Sequence, residues 1–156
     1  MIEIKIPGHQ TLALEHLVLD SNGTIAFDGG LIDGVKETLT ELSQMLTVHV
    51  ITADTFGSVK KAVADIDCNL ALIPLDHQDV AKLEYVKKLG SEKTVSMGNG
   101  ANDRLMLKAS ALGVAVVQGE GAAFETLASA DVVCTDIQSA LSLLNHPLRL
   151  IATLRS

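Results

Sequence analysis

The stretch "LVLDSNGTIAF", residues 17–27, allows two interpretations that make different demands on the fold. Its apolar run ends at Asp20, an Asn-Gly pair follows, and a second β-prone run begins at Thr24, which is a strong local signal for a hairpin. Alternatively, Asp20 is a carboxylate at the end of a buried strand, where it can act as a nucleophile. The segments on either side of this stretch show which fold it belongs to.

Apolar runs typical of strands alternate with helical patterns along the chain. The strand-like runs are residues 2–6, 12–20, 48–52, 69–73, 93–98, 113–117 and 131–134. The helical patterns are residues 33–46, 58–66, 77–90, 103–110, 122–129 and 137–144. Strands separated by helices at this spacing predict a mainly parallel sheet with helices on both faces, preceded by an antiparallel strand. The expected class is a Rossmann-like, doubly wound α/β fold.

Composition narrows the class of protein. At 156 residues the chain suits a single domain, residues 1–156, and its 47% hydrophobic and 3% aromatic content predicts an aliphatic core. A net charge of −7 without a basic cluster argues against a nucleic-acid partner. The chain lacks zinc-ligand spacing, a leader-like start and any apolar run of membrane-spanning length. We therefore expect a cytoplasmic protein with no membrane partner.

Polar residues follow the apolar runs at several predicted strand ends. In a doubly wound sheet, ligands bind beyond the carboxyl ends of the strands, so these residues are candidates for a site. Asp, Asn and Gly are also what ordinary turns use, but their recurrence after several strands favours a site. Two carboxylates, Asp20 and Asp103, can converge at one edge and suit Mg²⁺. The candidates are Asp20, Asn22, Thr24, Thr52, Asp54, Pro74, Asp76, Asn99, Asn102 and Asp103.

Three of these segments resemble motifs of the haloacid dehalogenase (HAD) superfamily. "LVLDSNGT" (17–24) resembles the first motif, "VIT" (50–52) the second, and "MGNGAND" (97–103) the fourth, which reads Gly-Asp-Gly-x-Asn-Asp in P-type ATPases and many phosphatases. Residues 109–133 resemble the segment that follows the fourth motif in the phosphorylation domain of P-type ATPases and their soluble relatives. The resemblance covers essentially the whole chain.

The resemblance implies a role for each matched residue. Asp20 would attack phosphorus and form an aspartyl-phosphate, with Thr52 hydrogen-bonding the transferring phosphoryl group and Asn102 helping to bind it. Lys82 would balance the charge of that group, with Lys60 as second choice. The cofactor would be Mg²⁺, and its ligands would be Asp20, the Asn22 backbone carbonyl, Asn99 and Asp103.

Two residues depart from the family pattern. Most phosphatases of the superfamily carry an acid/base Asp at the position of Asn22, and an amide cannot exchange a proton near neutral pH. Loss of a general acid/base costs on the order of 10² to 10⁴ in rate. Asn99 stands where the family has a metal-binding Asp, so one negative charge is lost and Mg²⁺ affinity should fall.

The short segment between Asp20 and Thr52 has room for a flap hairpin and one helix. The resemblance places such a hairpin here and implies a site without a cap domain. Relatives without a cap often take a macromolecular substrate or use a neighbouring subunit as a lid. We therefore expect a phosphorylated substrate or protein partner, and a homo-oligomer.

Two functional hypotheses follow. The first is a Mg²⁺-dependent phosphatase of weak or narrow activity that acts through phospho-Asp20. The alternative is a catalytically impaired binding or regulatory module, in which Asn22 and Asn99 mark lost catalysis. A third idea, dinucleotide binding at residues 98–103 or 119–124, fits poorly, because both segments lack the third glycine of the fingerprint and neither follows the first strand.

Overall fold

A computed structural model describes residues 1–156 and contains ten strands and seven α-helices. The strands are β1 (Ile2–Lys5), β2 (Thr11–Leu14), β3 (His16–Asp20), β4 (Ala26–Phe27), β5 (Gly30–Leu31), β6 (Thr47–Thr52), β7 (Asn69–Leu72), β8 (Thr94–Gly98), β9 (Leu112–Val116) and β10 (Val132–Cys134). The helices are α1 (Val35–Leu42), α2 (Ser58–Ala62), α3 (Gln78–Leu89), α4 (Arg104–Ala109), α5 (Phe124–Ser129), α6 (Ile137–Asn145) and α7 (Pro147–Leu154). Short 3₁₀ turns occupy Ser91–Lys93 and Ala101–Asp103.

Six parallel strands form the central sheet in the order β10-β9-β8-β3-β6-β7. The chain extends the sheet from β3 to β6 and β7 on one side, and then returns to place β8 on the other side of β3. Strand order therefore reverses at β3, which is where an α/β sheet opens a crevice for ligands. The predicted doubly wound α/β fold is confirmed.

The two faces of β3 pack against different helices. Leu17 and Leu19 belong to a large aliphatic cluster that includes residues of α1 and α6, whereas Val18 packs in a smaller cluster with residues of α3 and α4. Burial on both faces explains why β3 is almost continuously apolar. Because side chains alternate along a strand, Asp20 faces the same side as Val18. The period of the strand thus directs Asp20 toward α3 and α4.

The segment 12–20, predicted as one strand, is divided at Glu15. β2 pairs antiparallel with β1 in a separate two-stranded sheet, and β3 enters the central sheet. Glu15 itself bridges two elements, because its N–H donates to the Lys93 carbonyl at 2.8 Å and its carbonyl accepts from the Thr47 N–H at 2.9 Å. These contacts fix the point at which the chain passes from the two-stranded sheet to the central sheet.

The flap hairpin is present, but its turn is not the Asn-Gly pair. β4 and β5 pair antiparallel around Asp28 and Gly29, whose φ angles of 49° and 83° match a two-residue type I′ turn. The Asn22–Gly23 segment instead folds tightly on Ser21, whose carbonyl accepts from three following N–H groups. The interpretation of Asn22–Gly23 as a hairpin turn is therefore wrong, and this turn belongs to the end of β3.

The helix α7 extends beyond the last predicted element. Pro147 opens it at a position where a missing N–H costs nothing, and Leu150 is completely buried. None of the helices combines the length and the hydropathy needed to cross a membrane.

His49, a buried residue of β6, contacts one residue of β3 and one residue of α3. His49 is 4% exposed, with Nε2 3.2 Å from Nδ1 of His16 and Nδ1 2.8 Å from the Tyr85 hydroxyl. Burial, aided by the nearby His16, lowers the pKa of His49 from 6.5 to about 4. Between these two values the unfolded chain binds a proton at this residue and the folded chain does not, so stability falls as the pH falls.

We expect the His49→Gln variant to lose this pH dependence. As the pH falls from 7 to 5, the free energy of unfolding of the unsubstituted chain, measured relative to that of His49→Gln, should drop by about 2 kcal/mol. Urea denaturation of both proteins at the two pH values gives this difference, in which the titrating groups that do not contact His49 cancel. An offset between the two proteins that does not change with pH would show that His49 titrates normally in the folded state.

Candidate active site

An open cavity of about 610 Å³ lies at the carboxyl ends of the central strands. It is lined mainly by polar residues, among them Asp20, Asn22, Thr52, Asn99, Asn102 and Glu120. These residues come from the last positions of β3 and β6 and from the segments after β3, β8 and β9, which the parallel sheet brings to one edge. The cavity therefore occupies the crevice where ligands bind in such sheets.

A buried lysine joins two carboxylates beneath this cavity. Lys82 of α3 is 1% exposed, and its Nζ donates to Asp20 Oδ1 at 2.7 Å and to Asp103 Oδ1 at 2.6 Å. Lys60 is exposed on α2 and does not line the cavity. Of the two lysines considered from the sequence, the structure places Lys82 beside Asp20.

The tight turn after β8 fixes the position of the Asp103 carboxylate. Its Oδ2 accepts the Asn99 N–H at 2.9 Å and the Gly100 N–H at 3.0 Å, while Oδ1 accepts from Lys82. A Cβ at Gly98 would overlap the Asp103 carboxylate, so the glycine is needed for this close approach. Asp103 is completely buried and does not line the cavity, and both of its oxygens are engaged.

The charges around Lys82 set the ionisation of the site. Burial alone would lower the pKa of Lys82, but the adjacent Asp20 and Asp103 raise it, so the ammonium stays charged. For Asp20, burial and the charge of Asp103 outweigh the attraction of Lys82 and raise the pKa to about 7. A cation bound beside Asp20 would favour its ionised form.

The buried Thr24 hydroxyl brings an oxygen of Asp20 and the amide oxygen of Asn99 close together. This hydroxyl lies 3.3 Å from Asp20 Oδ2 and 3.2 Å from Asn99 Oδ1, and its one proton is shared between these acceptors. Asn99 is fixed at its other end, because Nδ2 donates to the Gly121 carbonyl at 3.2 Å. The amide oxygen of Asn99 is therefore directed to the same region as the Asp20 carboxylate.

Thr52 has a hydroxyl proton available for a ligand. Thr52 ends β6, and its Oγ1 accepts the Asp54 N–H at 3.0 Å but donates to no group of the chain. Asp54 in turn accepts from Ser58 and from the backbone of Phe56 and Val59, and these bonds hold its pKa at about 2. The loop is thus braced by Asp54, while Thr52 faces the cavity.

The oxygens at the cavity fit a hard cation that keeps several waters. The chain has no cluster of three or more His, Cys, Asp or Glu side chains arranged to hold a metal. The Asp20 carboxylate and the Asn99 amide oxygen lie close together here, because both contact the Thr24 hydroxyl. The neighbouring Ser21 hydroxyl is buried and has no hydrogen-bond partner. Mg²⁺ is commonly held by one or two carboxylates together with a substrate phosphate.

Sequence reasoning missed residues at two places. Gln78 accepts the Asn102 side-chain N–H at 2.7 Å, and Glu120 lines the cavity from the turn after β9. Glu120 could have been found by the same rule that identified Asp20, because it also follows the carboxyl end of a strand. Gln78 gave no such signal, since it lies at the start of α3 rather than after a strand.

No protein-family profile matches the chain. It is 43% identical to the uncharacterized protein MJ0073 of Methanocaldococcus jannaschii over 82 residues, which cover 50% of this chain and 88% of that protein. The chain therefore belongs to the same family as MJ0073.

Solved structures share its fold at low sequence identity. A 3-deoxy-D-manno-octulosonate 8-phosphate phosphatase from Moraxella catarrhalis, solved with magnesium, phosphate and KDO, is 16% identical with a TM-score of 0.71, covering 92% of this chain and 94% of that one. A Legionella pneumophila protein assigned to the HAD superfamily (subfamily III A) of hydrolases is 15% identical with a TM-score of 0.72, covering 91% and 87%.

Proposed function

Because the chain has the fold of the HAD superfamily hydrolases, we propose that it is a Mg²⁺-dependent phosphatase that forms an aspartyl-phosphate on Asp20. The observation that carries this proposal is the buried contact of Lys82 with Asp20 at the switch point of the sheet. A buried lysine with two carboxylates is costly to maintain as a purely structural feature. Beside an open polar cavity, it is well placed to accept the charge of a phosphoryl group.

The chain's own residues divide the work of phosphoryl transfer. Lys82 orients the Asp20 carboxylate through Oδ1 and stays close enough to balance the charge that builds up on the phosphoryl oxygens. The Thr52 hydroxyl, which accepts from Asp54 and has its proton free, donates to one of those oxygens. The Asn102 amide, which donates to Gln78 and lines the same cavity, supports binding of the phosphoryl group.

We assign the cation to the side of Asp20 that faces Asn99. Asp20, the Asn99 amide oxygen and the backbone carbonyl of Asn22 would hold Mg²⁺, while Asp103 holds Lys82 because both of its oxygens are engaged. Bound Mg²⁺ would offset phosphoryl charge and favour the ionised Asp20. The Moraxella phosphatase structure, which contains magnesium and phosphate, supports this class of site.

The proposed enzyme releases its phosphoryl group slowly. Asn22 is exposed at the cavity and cannot take a proton from an attacking water. Hydrolysis of phospho-Asp20 should therefore limit turnover. The segment between β3 and β6 holds only the β4–β5 hairpin and α1, so we further propose a site without a cap, accessible to a phosphorylated protein or to a substrate covered by a neighbouring subunit.

Asn22 and Asn99 also support a second candidate function, a binding or regulatory module that keeps the pocket without turnover. Both positions carry an amide beside the cavity, and an amide neither supplies a negative charge to a cation nor exchanges a proton near neutral pH. Calorimetry separates the two functions. Binding of Mg²⁺ or phosphate by a protein that releases no phosphate from any substrate would favour the module.

Phosphate release with an Asp20→Asn control tests the phosphatase directly. With Mg²⁺, the unsubstituted chain should release phosphate from acetyl phosphate and from at least one of a panel of phosphate esters. Asp20→Asn should reduce release to background, because the amide is not a nucleophile for phosphorus. The phosphatase proposal fails if the two proteins release phosphate at the same rate across the panel.

A further inference from the structure

Glu120 lies at the tip of a tight turn after β9. The Gly121 N–H donates to the Gln118 carbonyl at 2.9 Å and closes the turn, and Gly121 adopts a φ of 70°. The Glu120 side chain is exposed at the mouth of the cavity and lines it together with Asp20 and Asn99. It forms no ion pair and no hydrogen bond within the chain.

The turn is fixed to the loop that follows Asp20. The Gln118 side-chain N–H group donates to the carbonyls of Gly23 and Thr24 at 3.2 and 2.9 Å, and its amide oxygen accepts the Ile137 N–H at 2.9 Å. These bonds hold the turn against the backbone between Asn22 and Thr24. Glu120 is therefore carried on a braced segment rather than on a free loop.

The same segment is hydrogen-bonded to both the side chain and the backbone carbonyl of Asn99. The Asn99 side chain donates to the Gly121 carbonyl at 3.2 Å, and the Asn99 carbonyl accepts the Ala123 N–H at 2.9 Å. A Cβ at Gly23 would overlap both the Glu120 carboxylate and the Asn99 side-chain amide. Gly23, which has no Cβ, thus leaves room for these two side chains.

We propose that Glu120 supplies the second carboxylate of the Mg²⁺ site and restores the negative charge that Asn99 lacks. The inference rests on the proposed function, since it concerns the same cation. Glu120 and Asp20 line the same cavity. Two carboxylates repel each other when no cation is present, and a divalent cation bound between them reverses that effect. Because the Glu120 carboxylate and the Asn99 side-chain amide approach the same point beside Gly23, this charge lies near Asn99 in the cavity that both residues line.

Calorimetric titration with Mg²⁺ alone, in the absence of substrate, tests the role of Glu120. Glu120→Gln should bind Mg²⁺ about tenfold more weakly than the unsubstituted chain, as expected for loss of a carboxylate that supports a metal. Glu125→Gln is the matched control, because this substitution removes the same charge from an exposed residue of α5 that does not line the cavity. Its affinity should stay within about twofold, since exposed charges are screened.

A second variant distinguishes lost charge from lost structure. Asn99→Asp introduced into Glu120→Gln returns one carboxylate to the site and should recover most of the Mg²⁺ affinity. Equal affinities for the unsubstituted chain and Glu120→Gln overturn the inference but leave the proposed function standing. A slower turnover of Glu120→Gln with unchanged Mg²⁺ affinity also overturns it, since Glu120 would then act in proton transfer. Absence of Mg²⁺ binding to the unsubstituted chain removes the inference and the Mg²⁺-dependent function together.

Discussion

Lys82→Met is expected to lower the free energy of unfolding by about 3–5 kcal/mol and to abolish phosphoryl transfer. Methionine fills a similar volume but leaves Asp20 and Asp103 without the ammonium that joins them. Asp103 is completely buried and cannot be rescued by water. Urea denaturation at pH 7 gives the stability change, and phosphate release in the presence of Mg²⁺ gives the activity.

Lys87→Met is the matched control for this substitution. Lys87 lies on the same helix but is 54% exposed in its side chain and pairs only with Glu84 at 3.0 Å. Such surface pairs contribute at most about 1 kcal/mol, so the control should fold and act almost normally. Adding Asp103→Asn to Lys82→Met should recover part of the lost stability, because it removes the uncompensated buried charge. Similar losses for Lys82→Met and Lys87→Met would contradict the proposed charge arrangement.

Asn22→Asp is expected to accelerate hydrolysis of the phosphoenzyme about a hundredfold. The substitution places a carboxylate two residues after the nucleophile, where it can take a proton from the attacking water. Asn22 is exposed at the cavity, so the change should be tolerated by the fold. Rapid-quench measurement of phospho-Asp20 decay separates this step from phosphoenzyme formation.

Asn69→Asp controls for the added negative charge. Asn69 is exposed at the start of β7, at the end of the sheet opposite the cavity, and its substitution should leave the decay rate unchanged. A decay rate for Asn22→Asp equal to that of the unsubstituted chain would mean that proton transfer does not limit release. In that case, the slow turnover attributed to Asn22 would need another cause.

Periodic and local features of the sequence predicted the fold well. The alternation of apolar runs with helical patterns predicted the central strands, and the rule for strand ends placed Asp20 and Thr52 at the edge where the cavity lies. Features set by long-range contacts were missed. The division at Glu15 depends on hydrogen bonds to Lys93 and Thr47, which no local pattern encodes.

Competing local signals account for the hairpin error. Both Asn22–Gly23 and Asp28–Gly29 suit a tight turn, and only the folding of the first pair onto Ser21 leaves the second to form the hairpin. The position of Glu120 shows a similar limit. Its place beside Asn99 follows from the side chain of Gln118, which attaches the turn to the loop after β3.

Detection of a phosphoryl group on Asp20 tests the central claim most directly. The unsubstituted chain is incubated with acetyl phosphate and Mg²⁺, quenched in acid, digested, and analysed by mass spectrometry. We predict a peptide phosphorylated at Asp20, present in the unsubstituted chain and absent from Asp20→Asn. Phosphate release without any phosphorylated Asp20 peptide, or a phosphoryl group found on another residue, would contradict the proposed mechanism.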